Sequence, residues 1–215
     1  MPALEVKGIS RSFSNGKKVL DKISFSAKLG EKILIHGANG SGKTTLAKIL
    51  AGILTPQEGS VIWSSHDLQF SRELVKSDIS WIGPGEKGLF PRLTGKQNLE
   101  LLSDFIGTPQ KLREELFEYW RTVTPAENAL RTPFYLCSTG MKQILKIMVL
   151  GLYSPKLIIL DEPLKGLDAE IKEKLFHYLN LYYIEATIIV MSHMIDEVES
   201  SLKAKKLQLR EGKLC

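Results

Sequence analysis

Three short segments are apolar at nearly every position: Lys32-Ile-Leu-Ile-His36, Leu157-Ile-Ile-Leu160 and Thr187-Ile-Ile-Val-Met191. Continuous rather than alternating apolar character predicts parallel strands covered on both faces. Between them, apolar residues recur at helical spacing. Leu46, Ile49 and Leu50 share a face and stop at Gly52, while Ile171, Leu175, Tyr178 and Tyr182 form a second stripe. Strands alternating with helices predict an α/β fold with a mainly parallel sheet.

Two regions depart from that alternation. Near the N-terminus, Val6, Ile9, Phe13, Val19-Leu20 and Ile23–Phe25 surround an Asn15-Gly16 turn, which predicts short antiparallel strands. From residue 88 to 152 the pattern predicts an inserted, largely helical subdomain. Thr94-x-x-Gln97 matches a capping box opening a helix with Leu99, Leu102 and Phe105. Thr108-Pro109 reads as a cap with proline at the first helical position, ahead of Leu112, Leu116 and Trp120, and Pro125 and Pro133 punctuate the stretch beyond Trp120. The chain closes on Leu207–Leu214, a small hairpin that is expected to leave no room for an appended regulatory domain.

Length and composition narrow this further. A chain of 215 residues reads as one globular domain over 1–215 with a subdomain inside it. The net charge of +5 is spread along the chain without a basic run, which argues against a nucleic-acid surface. Two cysteines, Cys137 and Cys215, make no disulfide framework and suit a reducing compartment. No signal peptide is expected, and the longest apolar runs fall short of a bilayer span. Any membrane work therefore needs a partner.

Candidate chemistry sits at the ends of the apolar segments. Gly37-Ala38-Asn39-Gly40-Ser41-Gly42-Lys43-Thr44-Thr45 fits G-x-x-x-x-G-K followed by Ser or Thr, between a predicted strand and a predicted helix. Glycines let successive N–H groups turn around phosphate oxygens, and the helix N-terminus adds positive partial charge. Lys43 supplies a cation to the β- and γ-phosphates, and the Thr44 hydroxyl suits Mg²⁺. At the end of the second segment, Asp161 would hold Mg²⁺, and Glu162 beside it would orient or activate water.

Four further features, in order, make the chain resemble the ABC ATPase family over essentially its whole length. Cys137-Ser138-Thr139-Gly140-Met141, followed by Lys142-Gln143, resembles the LSGGQ signature. Lys165-Gly166-Leu167-Asp168 looks like the D-loop, Ser192-His193 like the switch histidine, and Phe13 like the aromatic that stacks on adenine. The resemblance implies an ATP- and Mg²⁺-dependent ATPase that drives transport through a separate transmembrane permease on the cytoplasmic face of the inner or plasma membrane. It implies a homodimer or heterodimer of ATPase subunits, with Ser138 and Gly140 reaching the γ-phosphate bound by the other copy and Asp168 at the interface. His193 would contact the γ-phosphate in cis.

Two departures modify the expectation. Cys137, Thr139 and Met141 replace three signature residues, and the surviving Ser-x-Gly-Met-Lys form resembles exporter ATPases. No glutamine stands where the family's Q-loop has one, and Glu86 is the candidate Mg²⁺ or water ligand there. His36, His66 and His177 lack companions at metal-ligand spacing and are expected to have a structural or surface role. Trp63, Trp81 and Trp120 are expected to anchor cores. The competing class is a non-transport ABC ATPase acting on nucleic acid or ribosomes. The missing second ATPase domain and coiled-coil insertion disfavour it, so no direct nucleic-acid partner is expected.

Overall fold

The computed structural model describes residues 2–13, 16, 18–85 and 88–215. In chain order the strands are β1 (Leu4–Ser12), β2 (Lys18–Ala27), β3 (Lys32–His36), β4 (Glu58–Trp63), β5 (His66–Asp67), β6 (Ile79–Ile82), β7 (Leu157–Asp161), β8 (Thr187–Met191), β9 (Lys205–Arg210) and β10 (Lys213–Leu214). The helices are α1 (Lys43–Leu50), α2 (Leu68–Val75), α3 (Gly95–Ile106), α4 (Gln110–Arg121), α5 (Thr124–Arg131), α6 (Thr139–Leu150), α7 (Ala169–Tyr182) and α8 (Ile195–Leu202).

The chain divides into two compact units. The first comprises the residues up to Gly83, Pro155–Pro163 and Leu179–Cys215. It holds an antiparallel sheet of order β2-β1-β4-β5 and a six-stranded sheet of order β10-β9-β3-β8-β7-β6. In the larger sheet β9, β3, β8, β7 and β6 run parallel, and β10 folds back antiparallel on β9. The continuous apolar character of β7 and β8 reflects full burial at all five positions of each. Ile189 of β8 lies level with Ile33 of β3 on one side and Ile159 of β7 on the other. These side chains share one core with Leu46, Ile49 and Leu50 of α1 and with Val6, Ile9 and Trp63 of the antiparallel sheet.

That strand order matters for chemistry. Because β3 and β7 flank β8, the segments leaving their C-terminal ends emerge side by side, where open α/β sheets place ligands. Two backbone bonds extend the alignment: Ser192 N–H donates to the Ile35 carbonyl at 3.3 Å, and Glu162 N–H to the Met191 carbonyl at 2.8 Å.

The second unit comprises Pro84–Ser154 and Leu164–Tyr178. It contains α3 to α6 and most of α7. Thr94 caps α3, accepting from Gln97 N–H while the Gln97 side chain accepts from Thr94 N–H. Fully buried Asn98 donates to the carbonyls of Phe90, Leu93 and Thr94 and accepts from Phe90 N–H, tying the preceding segment to the helix. Fully buried Trp120 packs edge-on against Tyr178 with ring centroids 5.4 Å apart.

Three local expectations are corrected. Thr108 does not cap α4: its hydroxyl donates to the Leu152 carbonyl at 2.5 Å, and Pro109 takes the cap position with no side-chain cap. Phe105 leaves the α3 stripe for solvent, and Gly95, Asn98, Leu99 and Ser103 are the residues that α3 buries. Tyr182 is also exposed, and Leu179 and Tyr183 are buried instead. The Asn15 turn and Glu86 lie outside the described residues. Among the described residues, no helix is long and apolar enough to cross a membrane.

Candidate functional site

The loop between β3 and α1 is glycine-rich for two separate physical reasons. A Cβ on Gly37 would stand 2.2 Å from the Leu209 carbonyl oxygen of β9, so the backbones approach too closely for any side chain. Gly42 caps α1 at φ 107°, a conformation that disfavours residues with a Cβ. No side chain caps the first turn of α1, which leaves its N–H groups and positive partial charge for a ligand.

Lys43 opens α1 and is almost wholly buried. Its Nζ donates to the Gly37 carbonyl at 2.7 Å and the Ala38 carbonyl at 3.2 Å, and lies 3.7 Å from Glu162 Oε1. Glu162 Oε2 is 2.9 Å from His193 Nδ1. Glu162 itself has φ 52°, the left-handed region that a residue with a side chain enters at a cost of about 1–3 kcal/mol. The Glu162–Met191 backbone bond helps hold it there, just beyond the strand. Ser192 is fully buried, and its Oγ accepts from Met194 N–H at 3.1 Å, while the His193 side chain beside it is largely exposed.

Asp161 is 2% exposed, and neither carboxylate oxygen has a hydrogen-bond partner of good geometry. Burial pushes its carboxyl above the ordinary carboxylate range. The Thr44 hydroxyl opposes that shift, the Glu162 carboxylate adds to it, and Lys43 and Lys48 oppose it. Two buried, unsatisfied oxygens beside a hydroxyl are hard oxygen donors short of a cation. They fit Mg²⁺, which takes few protein ligands and fills its octahedron with water and phosphate. Among the described residues, no group of three or more His, Cys, Asp and Glu gathers into a metal cage.

Lys43, Thr44, Asp161 and Glu162 line a cleft of about 320 Å³ that also includes Phe13, Val19, Asn39, Gly40, Gly42 and Thr45. Phe13 is 47% exposed and stands at the wall of this cleft. Val19 comes after the N-terminal turn as one apolar strand residue among several, and nothing in its sequence setting marks it as a cleft residue. A larger cleft of about 620 Å³ lies between Gly37–Ser41 and Gln208–Gly212, with Lys18 and Val19 at its wall. It lacks Lys43, Asp161 and Glu162, so the smaller cleft is the chemical one.

The remaining site candidates, Ser138, Gly140 and Asp168, belong to the second unit. Ser138 is the N-cap of α6, with its Oγ accepting from Met141 N–H at 3.2 Å, and Gly140 lies in the first turn. Asp168 is exposed, and its Oδ1 accepts from Ile171 N–H at 3.0 Å, capping α7. His66 bonds the Ser64 carbonyl, and His177 stacks on Tyr119 with centroids 6.2 Å apart.

The model of the ABC transporter family matches residues 20–165, more than half of the chain. The chain belongs to the ABC transporter family. It is an ATPase of that family, whose ATP hydrolysis is coupled to transport. Among its relatives, an ATP-binding protein of Staphylococcus haemolyticus assigned to hemin import, HrtA, is 30% identical over 99% of both chains. The lantibiotic transport ATP-binding protein SrtF of Streptococcus pyogenes is 29% identical over 91% of this chain and 82% of its own. A solved structure of the ATP-binding subunit of an ABC transporter superposes with a TM-score of 0.83 at 27% identity, over 99% of this chain and 88% of that one.

Proposed function

We propose that the chain binds ATP with Mg²⁺ in the cleft containing Lys43, Asp161 and Glu162. In this reading it drives a separate transmembrane permease as one of two ATPase subunits, at the cytoplasmic face of the membrane. One observation carries the proposal. At the ends of three adjacent parallel strands, a capless helix N-terminus, a buried lysine, an unsatisfied buried aspartate and a left-handed Glu162 bonded to His193 converge.

The residues take distinct roles. The N–H groups of Gly40 to Thr45 cradle phosphate oxygens, and Lys43 exchanges the Gly37 and Ala38 carbonyls for the β- and γ-phosphates. The Phe13 ring stacks on adenine. Thr44 and Asp161 hold Mg²⁺, which when bound neutralises phosphate charge. Glu162 takes the proton of the attacking water, and His193 stays against the γ-phosphate and responds to its loss. Ser138 and Gly140 of a second copy close the site from the far side, with Asp168 at the same interface. Closing with ATP and opening after hydrolysis would bias the permease between two conformations.

The Ser138-x-Gly140-Met141-Lys142 form supports export, whereas the name of the HrtA relative says import. ATP-dependent accumulation in inside-out vesicles carrying the chain and its permease would establish export. Exclusion from them would reverse the direction.

The central test is Glu162→Gln. Turnover should fall at least a hundredfold while ATP binding persists, and an ATP-dependent dimer should accumulate in gel filtration. A variant that hydrolyses at the parental rate, or stays monomeric with saturating Mg²⁺-ATP, rejects the proposal.

A further inference from the structure

Two turns of the second unit meet backbone to backbone. A Cβ on Gly140 would lie 2.5 Å from the Gly166 carbonyl oxygen, so the first turn of α6 and the turn ahead of α7 touch with no room between them. Gly166 has φ +77°, and a Cβ there would lie 3.2 Å from Thr139 Cγ2 and 3.6 Å from Gly140 N. The Thr139 methyl therefore covers the face of Gly166. Each turn also starts a helix that its own side chain caps, Ser138 for α6 and Asp168 for α7. Threonine is β-branched and so restricted about χ1, and its Cγ2 methyl, which glycine at this position would lack, is the group that stands over Gly166.

We propose that Thr139 is a positioning residue whose methyl locks the Ser138–Gly140 turn to the Lys165–Asp168 turn, so that the two turns present to a second copy as one rigid edge. The consequence at the interface rests on the proposed ATP-driven dimer, but the lock itself is a property of the single chain. Without the methyl, Ser138 and Asp168 must each be ordered separately when two copies meet, an entropy cost that weakens association without touching the cleft of Lys43.

Two substitutions separate methyl from hydroxyl. Thr139→Ser keeps the hydroxyl and removes Cγ2, whereas Thr139→Val keeps a methyl there and removes the hydroxyl. The first measurement is amide hydrogen exchange on the nucleotide-free monomer. Thr139→Ser should speed exchange across residues 166–168 by about tenfold, and Thr139→Val by less than about twofold. The second is ATP-driven dimerisation in the Glu162→Gln background, which Thr139→Ser should shift to about tenfold higher protein concentration. ATP affinity of the dilute monomer and its Tm should stay at the parental values. Unchanged exchange in Thr139→Ser overturns the lock whatever dimerisation does, and so does Thr139→Val behaving like Thr139→Ser. A fall in monomer Tm that accounts for the whole effect would show ordinary packing and overturn it too. If Glu162→Gln alone never dimerises, the dimer reading fails, and hydrogen exchange still decides the lock.

Discussion

Asp161 is held in a state that favours ligand binding over the stability of the empty chain. Its carboxyl is raised above the ordinary value of 3.8, chiefly by burial. The folded chain therefore binds that proton more tightly than the unfolded chain does. Stability must then decline as pH rises from about 3.8 through the folded titration. Asp161→Asn removes the buried charge, so the nucleotide-free variant should gain about 1 kcal/mol at pH 7, or about 2–4 °C in Tm. The gain should fade as pH approaches 3.8. With Mg²⁺-ATP the order should reverse, because only the parent supplies the carboxylate. Calorimetry across pH, with and without nucleotide, checks both halves. A variant less stable than the parent at pH 7 without ligand contradicts the account. Gly37 carries a different constraint, since its missing Cβ makes room for the Leu209 carbonyl oxygen. Gly37→Ala should cost about 1–3 kcal/mol in urea denaturation and weaken ATP binding with it, because β9 and the phosphate loop must part.

At the scale of elements, β3 is anchored at its start as well as its end. Lys32 Nζ donates to the carbonyls of Tyr183, Ile184 and Ala186 at 3.1, 2.8 and 2.6 Å, just past the C-terminus of α7. Burial lowers its pKa, yet three carbonyls and the adjacent helix end suit a cation there. Lys32→Met keeps the stem and leaves those carbonyls unsatisfied, so unfolding free energy should drop by about 2–3 kcal/mol with little change in m value. A loss under about 0.5 kcal/mol would show that water satisfies the carbonyls equally well. None of these three contacts is legible in the sequence, because each joins residues far apart in the chain. What is legible is local. The continuous apolar runs became β3, β7 and β8, and Thr94-x-x-Gln97 became a complete capping box. β6 escaped notice because Ile79-Ser-Trp-Ile82 is four residues long and carries a serine. Thr108 misled because a Thr-Pro pair fits a cap equally well, and only the approach of the Leu152 carbonyl redirects its hydroxyl. In the site, residue identities from Gly37 to Thr45 could be read from spacing. The left-handed Glu162 could not, since a long-range bond to Met191 helps hold it, and the engagement of Lys43 by its own loop carbonyls could not, since it depends on the folded path of the loop and not on residue spacing.

For the whole molecule, the proposed site residues divide between the two units. Phe13, Lys43, Asp161, Glu162 and His193 belong to one unit, and Ser138, Gly140 and Asp168 to the other. Binding to the first alone stabilises the monomer by mass action, about 2.7 kcal/mol at a hundred times Kd, irrespective of protein concentration. If a second copy's Ser138 completes the site, a further increment must appear that grows with protein concentration. Ser138→Asp isolates that increment. Aspartate is as good an N-cap as serine, so α6 keeps its cap. Its carboxylate would nevertheless face the γ-phosphate of the other copy, and like charges there repel. In the Glu162→Gln background, Tm with saturating Mg²⁺-ATP should climb with protein concentration. Adding Ser138→Asp should leave the dilute-limit shift intact and flatten the concentration dependence. A double variant whose Tm still climbs like the parent's would place the dimer contact elsewhere. One that loses the dilute-limit shift as well would mean that Ser138 serves the site of its own chain.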